Sequence, residues 1–146
     1  MTLEANVIAL KILAVGGIAG VLSNITGYVI TGLVFHRYQA QTPNTWRSAE
    51  SWTRYLYSAG VRILACTAIA LLYDAFGVGI PDLVTGAIPN GASFGAFLWA
   101  ATAAPVILEA ALFVNWHRGF VVGLLLDWLV LCVVAGVVAS VVKRIV

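Results

Sequence analysis

The chain has 146 residues, 62% of them hydrophobic and only 10% charged, with a formal net charge of +2. A soluble domain carries about a quarter charged residues, so an ordinary soluble fold is excluded; the apolar blocks exceed the roughly 20 residues that cross a bilayer. The basic residues are too few and too dispersed for a nucleic-acid partner. No Gly-rich phosphate loop or Cys/His ligand spacing calls for a cofactor or a metal.

The first span is predicted from about Ala5 to Phe35. Met1 to Asn6 contains Glu4 and no basic leader, so the span is expected to be retained. Gly16, Gly20, Gly27 and Thr31, with Asn24 among them, recur at three- and four-residue spacing. Such a stripe lets a neighbouring helix approach closely and turns Asn24 toward protein. Lys11 lies roughly 140° round from Asn24, near enough to the end to snorkel. The polar connection His36 to Ser51 contains Pro43, Asn44, Trp46 and Arg47. Trp46 and Trp52 suit the membrane interface.

The second span is predicted from about Trp52 to Phe76, with Tyr55, Arg62, Cys66, Ile69 and Tyr73 on one face. Arg62, about ten residues below the entry, needs a carboxylate partner. Asp74 comes near the other end, at the level of Lys11. Gly77 to Gly91 reads as a loop, because Pro81 and Pro89 interrupt helix. The third span runs from about Ala92 to Asn115, with a bend at Pro105, which has no amide to donate to residue 101. The fourth runs from about Gly119 to Val142 and ends in Lys143-Arg144. Cys66 and Cys132 fall mid-span and read as buried packing. The fold class is all-α: residues 1–146 form one bundle of four transmembrane helices, with no internal repeat or separate soluble domain.

The stretch Pro105 to Trp128 carries the chemistry. A tight turn at Asn115 to Arg118 separates two apolar arms, and each arm holds one acid, Glu109 or Asp127. Side B denotes the face with this turn and the His36–Ser51 connection, and side A the face with both chain ends. Counted at about 1.5 Å per residue, Asn24, Arg62, Glu109 and Asp127 all fall some 10–18 Å below side B. Tyr28, Tyr55 and Trp128 are expected to line the same layer as substrate-binding residues. An Arg–acid network that fixes helix register needs one arginine and one acid, each polar contact being worth about 1–2 kcal/mol. Two acids leave one carboxyl free, and a neutral acid beside an ionised one divides general-acid and counter-charge roles. His36 and His117 read as solvated interfacial residues.

Arg37, Arg47, Arg54 and Arg118 lie at side B, against Lys143, Arg144 and a snorkelling Lys11 at side A. The positive-inside rule then sets side B in the cytoplasm and both termini outside.

Gly32-Leu33-Val34-Phe35-His36, followed by Trp46, resembles the opening signature of an uncharacterised bacterial family of small four-helix integral membrane proteins. There a glycine precedes an aromatic pair at the end of the first helix, and a tryptophan follows. The family's pair is typically Trp-Tyr followed by proline, whereas this chain has Phe35-His36 without one. The resemblance implies four helices in a bacterial inner membrane and no chemistry.

Three functions fit this pattern. The leading one is an enzyme of isomerase, cyclase or epoxide-opening type, acting on a lipophilic small molecule in the bilayer. Glu109, Asp127 and Arg62 would be catalytic, and Asn24, Tyr28, Tyr55 and Trp128 would bind substrate. The second is a non-enzymatic homo-oligomeric or accessory membrane subunit. The third is a proton-coupled carrier that uses the acids as a relay.

Overall fold

Backbone in hydrocarbon has no water to bond, so each crossing segment must close its own hydrogen bonds as a helix. The computed structural model describes residues 3–39, 41–42, 52–76 and 86–145, with side chains from residue 6 onward. Four helices are long and apolar enough to cross a membrane: Asn6–Val34, Trp52–Phe76, Ala87–Phe113 and Arg118–Ile145. No strand occurs among the described residues. The protein is an all-α, multi-pass membrane protein. Trp46, Arg47 and the rest of the first connection beyond Thr42 lie outside the described residues, as do residues 77–85 of the second.

The first span is α1 (Leu3–Gly27), continued by a π-helical segment, Tyr28–Val34; a short α2 (His36–Gln39) follows. The Thr31 hydroxyl donates to the Gly27 carbonyl at 2.6 Å, competing with the backbone amide for that acceptor just where the wider winding begins. The second span is α3 (Trp52–Phe76). The third is split into α4 (Ala87–Ala101) and α5 (Ala103–Phe113). It begins five residues before the predicted Ala92. Gly86 takes φ 129°, open mainly to glycine, and Pro89 falls in the first turn, where amides have no helical partner to lose. The break falls at Thr102 (φ −125°, ψ −69°), one turn ahead of Pro105. The fourth span, α6 (Arg118–Ile145), also outruns its predicted end.

The centre of the bundle is α6. Its buried positions, including Gly123, Asp127, Leu131, Ala135 and Ala139, recur every three to four residues. On one side it packs against α1 and α3, which also pack on each other; on the other it packs against α4. In the side-A half the α4–α6 contact is close. A β-carbon on Gly91 or Gly95 would fall on the backbone of Gly136 or Cys132. Beside them Tyr73 donates to Ser140 at 2.8 Å and meets Phe94 edge-on at 5.1 Å.

The side-B half is looser. Every residue from Trp52 to Ser58 is exposed, because the π segment packs on α6 instead of α3: Phe35 lies over Gly123. Tyr55 is therefore exposed, while Cys66, Ile69 and Tyr73, predicted on the same helix face, are buried. Beyond the break, α5 buries only Ala104 and Ile107. The turn itself is ordered by stacking: the Tyr38 ring lies 4.8 Å from His117 at 7°. His117 in turn accepts the Gly119 amide on Nδ1 at 3.0 Å, capping α6, so it does more than the solvated role expected of it.

Candidate intramembrane polar site

Arg62 stands ten residues into α3, about 15 Å along the axis. Its guanidinium crosses to α1 and α6 at once. Nη2 donates to Asp127 Oδ2 in an ion pair, and Nη1 donates to the Ser23 carbonyl at 2.9 Å. Gly27 makes room, since a β-carbon there would sit 2.6 Å from Cζ and Nη1 of Arg62. Ser23 is fully buried; its hydroxyl donates to the Gly20 carbonyl at 3.0 Å and receives the Cys66 thiol at 3.8 Å. The pair is nearly dry, with side chains 14% and 2% exposed. Burying two charges costs several kcal/mol per ion, so such a pair needs its remaining lone pairs satisfied. Here one is not: Asp127 Oδ1 is buried and meets no donor among the described residues.

Glu109 does not join them. On α5 the inward positions are Ala104 and Ile107, and Glu109 lies two residues, roughly 200°, round from Ile107. It is exposed on the outer face and has no hydrogen bond or ion pair among the described residues. Because helical side chains tilt toward the N-terminus, its carboxyl points away from side B, into the bilayer.

Asn24 is half-buried and donates to the Gly20 carbonyl of its own helix at 2.8 Å, while Tyr28 and Tyr55 are 67% and 57% exposed. Trp128 packs half-buried against the core. Of the seven residues predicted for the layer, the structure brings together Arg62 and Asp127, with Trp128 adjacent in sequence. It leaves Glu109, Tyr28 and Tyr55 on the outer surface. Asp74 is joined to Lys143 at 3.3 Å, although Lys11 shares its end of the bundle. Cys66 and Cys132 are buried free thiols, and no three His, Cys, Asp or Glu residues converge as metal ligands among the described residues.

Two contributors escaped the sequence reading. Polarity points to Asn24, yet Gly16, Ala19, Gly20, Ser23 and Gly27 form the helical stripe of small residues that is buried. Gly91 and Gly95, a small-xxx-small pair, straddled the assumed boundary between loop and third span. Comparison with family models, curated proteins and solved structures returned no match.

Proposed function

We propose that the chain is a non-enzymatic membrane subunit that assembles with further copies of itself through the outer faces of its side-B half. One observation carries this reading: Glu109 stands on an outer helix face within the membrane, with no partner among the described residues. Acids at such depth ordinarily face a bundle interior or a partner. The chain carries complementary groups on its other side. Tyr28 and Tyr55 belong to the first and second spans, across α6 from α5, and both are exposed. A phenol donating to a carboxylate makes a strong, charge-assisted bond. Acceptor on one flank and donors on the other make a heterologous contact, which closes into a ring when the rotation allows. In this reading the 115–117 turn faces the cytoplasm of a bacterial cell and both termini lie outside, as the basic residues of side B favour.

The test is a dilution series of labelled protein in lipid vesicles, read by energy transfer between copies. Wild type is expected to associate, Glu109→Gln to associate more weakly, and Tyr28→Phe with Tyr55→Phe to match that loss. A wild type that stays monomeric at high protein-to-lipid ratio overturns the reading. An association untouched by Glu109→Gln also overturns it.

A separate observation favours an acid–base reading. The unpartnered Asp127 Oδ1 could take a hydroxyl or amine of a lipophilic molecule entering between the diverging ends of the first two spans, with Arg62 holding the counter-charge. That scheme uses Asp127 as the base and leaves Glu109 out. Its signature is a wild-type activity that Asp127→Asn abolishes and Glu109→Gln spares.

A further inference from the structure

At side A, where α1, α3 and α6 converge, the surface opens into a cleft of about 130 Å³. Its floor is hydrocarbon, formed by Ile12, Val15, Ala70 and Ala139. Its rim is charged, with Lys11, Lys143 and Asp74 beside Tyr73. The rim groups differ in how fully they are engaged. Lys143 Nζ is held by the Asp74 carboxylate at 3.3 Å and by the Asp74 carbonyl at 3.0 Å, and it lies 5.9 Å from the Tyr73 ring centre. The Tyr73 hydroxyl is spent on Ser140. Lys11 makes no hydrogen bond or ion pair among the described residues.

Among the described residues that line the cleft, two lysines and one aspartate therefore leave one positive charge uncompensated over an apolar floor. Lys11 lies eight residues into α1, about 12 Å along the axis. Its side chain tilts back toward the N-terminal, side-A end of the helix. It thus brings an ammonium to headgroup level above a surface that suits hydrocarbon better than water. Basic pockets between transmembrane helices recognise anionic lipid headgroups in this way.

We propose that this cleft binds an anionic phospholipid, its phosphate on Lys11 with Lys143 beside it, and the start of one acyl chain on the Ile12–Val15–Ala139 floor. The floor selects the lipid over free phosphate, because a hydrated ion gains nothing from apolar contact. This site is independent of the assembly reading: it lies at the opposite end of the bundle from Glu109 and uses none of the same residues.

The full-length protein in mild detergent is titrated with phosphatidylglycerol, phosphatidylcholine or glycerol phosphate, and retained lipid is read by native mass spectrometry. Phosphatidylglycerol is expected to be retained in preference to phosphatidylcholine, and glycerol phosphate not at all. Lys11→Met should weaken that retention roughly fivefold, while Lys11→Arg, which keeps the charge, should preserve it. Arg144→Gln, which removes a charge outside the cleft, should leave it unchanged. Equal retention of the two lipids, binding of glycerol phosphate alone, or a Lys11→Met protein that matches wild type each overturns the proposal. A loss in Arg144→Gln as large as in Lys11→Met does the same, since it reduces the effect to overall charge.

Discussion

The two ends of the bundle solve the same packing problem in different ways. Toward side A, glycines remove side chains from the contact, so the backbones of α4 and α6 nearly touch at Gly91, Gly95 and Gly136. The hydroxyls of Tyr73 and Ser140 satisfy each other. Toward side B, α3 stands free over its first two turns, α5 departs after Thr102, and the α1–α3–α6 junction is tied by an arginine reaching across to Asp127 and Ser23. Lipid tails are as apolar as leucine, so membrane helices gain little from hydrophobic burial and depend on close packing and polar contacts. Side A combines both devices, while the α1–α3–α6 junction toward side B leans on the second. The α4–α6 contact leaves no room for change, whereas the exposed first turns of α3 and the outer face of α5 keep surfaces that another molecule can cover.

The largest effect tests the tie. Asp127→Leu strands the Arg62 guanidinium in a dry junction and should cost about 3–5 kcal/mol, measured by equilibrium unfolding in mixed micelles. The double variant Arg62→Met, Asp127→Leu should recover most of that loss, because it removes both charges together. If the double variant is as unstable as the single one, the pair is not what joins the three helices.

The close-packed end should give the next effect. Gly95→Ala sets a methyl against the Cys132 backbone, which cannot rotate aside as a side chain can. A loss of about 1–3 kcal/mol is expected, with the helices forced apart. Gly60→Ala, on the same scale, should be harmless or slightly stabilising, since nothing lies within 4 Å of the added carbon. Equal losses at the two glycines would erase the contrast between contact and open space.

Depth was legible in the sequence and direction was not. Counting residues from the predicted ends put Arg62, Asp127 and Glu109 in one layer, and for Arg62 and Asp127 the layer is real. Counting along a helix fixes level because rise per residue is nearly constant. Which way a side chain points also depends on where the helix is interrupted and what it leans on. The break at Thr102 lies in the turn that Pro105 leaves short of an amide, so a bend is legible there; the outward direction it gives Glu109 is not, because that depends on what α5 leans on beyond the bend. The same limit explains Asn24 and Ser23, neighbours about 100° apart on the wheel. Polarity favoured Asn24, while the small-residue stripe selects Ser23. Pro89 misled for a local reason: a proline ends a helix from its interior but is at ease in its first turn.

A smaller loss should follow removal of the Tyr73 hydroxyl. Tyr73→Phe keeps the ring against Phe94 and deletes one interhelical bond to Ser140. Such bonds average about 0.6 kcal/mol in membrane bundles. The same protein with Ser140→Ala added should be no worse, since the second change removes the partner left unpaired. A double variant that loses twice as much would mean that each hydroxyl holds a separate contact.

The smallest expected effect is the most direct check on the open end. Leu56 lies in the first turns of α3, 54% exposed, and Leu56→Ala removes three carbons that touch little of this chain. In dilute protein the unfolding free energy should move by no more than about 0.5 kcal/mol. Ile69→Ala, lower on the same helix and buried, should cost about 2–5 kcal/mol. If Leu56→Ala costs as much as Ile69→Ala in protein diluted to monomers, the first turns of α3 are clamped within the chain itself. The side-B half is then closed, and neither a neighbouring copy nor a lipophilic molecule has a surface there to use. If the loss appears only as the protein is concentrated in the bilayer, the leucine is buried by a second copy, and the freedom of α3 is a property of the lone chain.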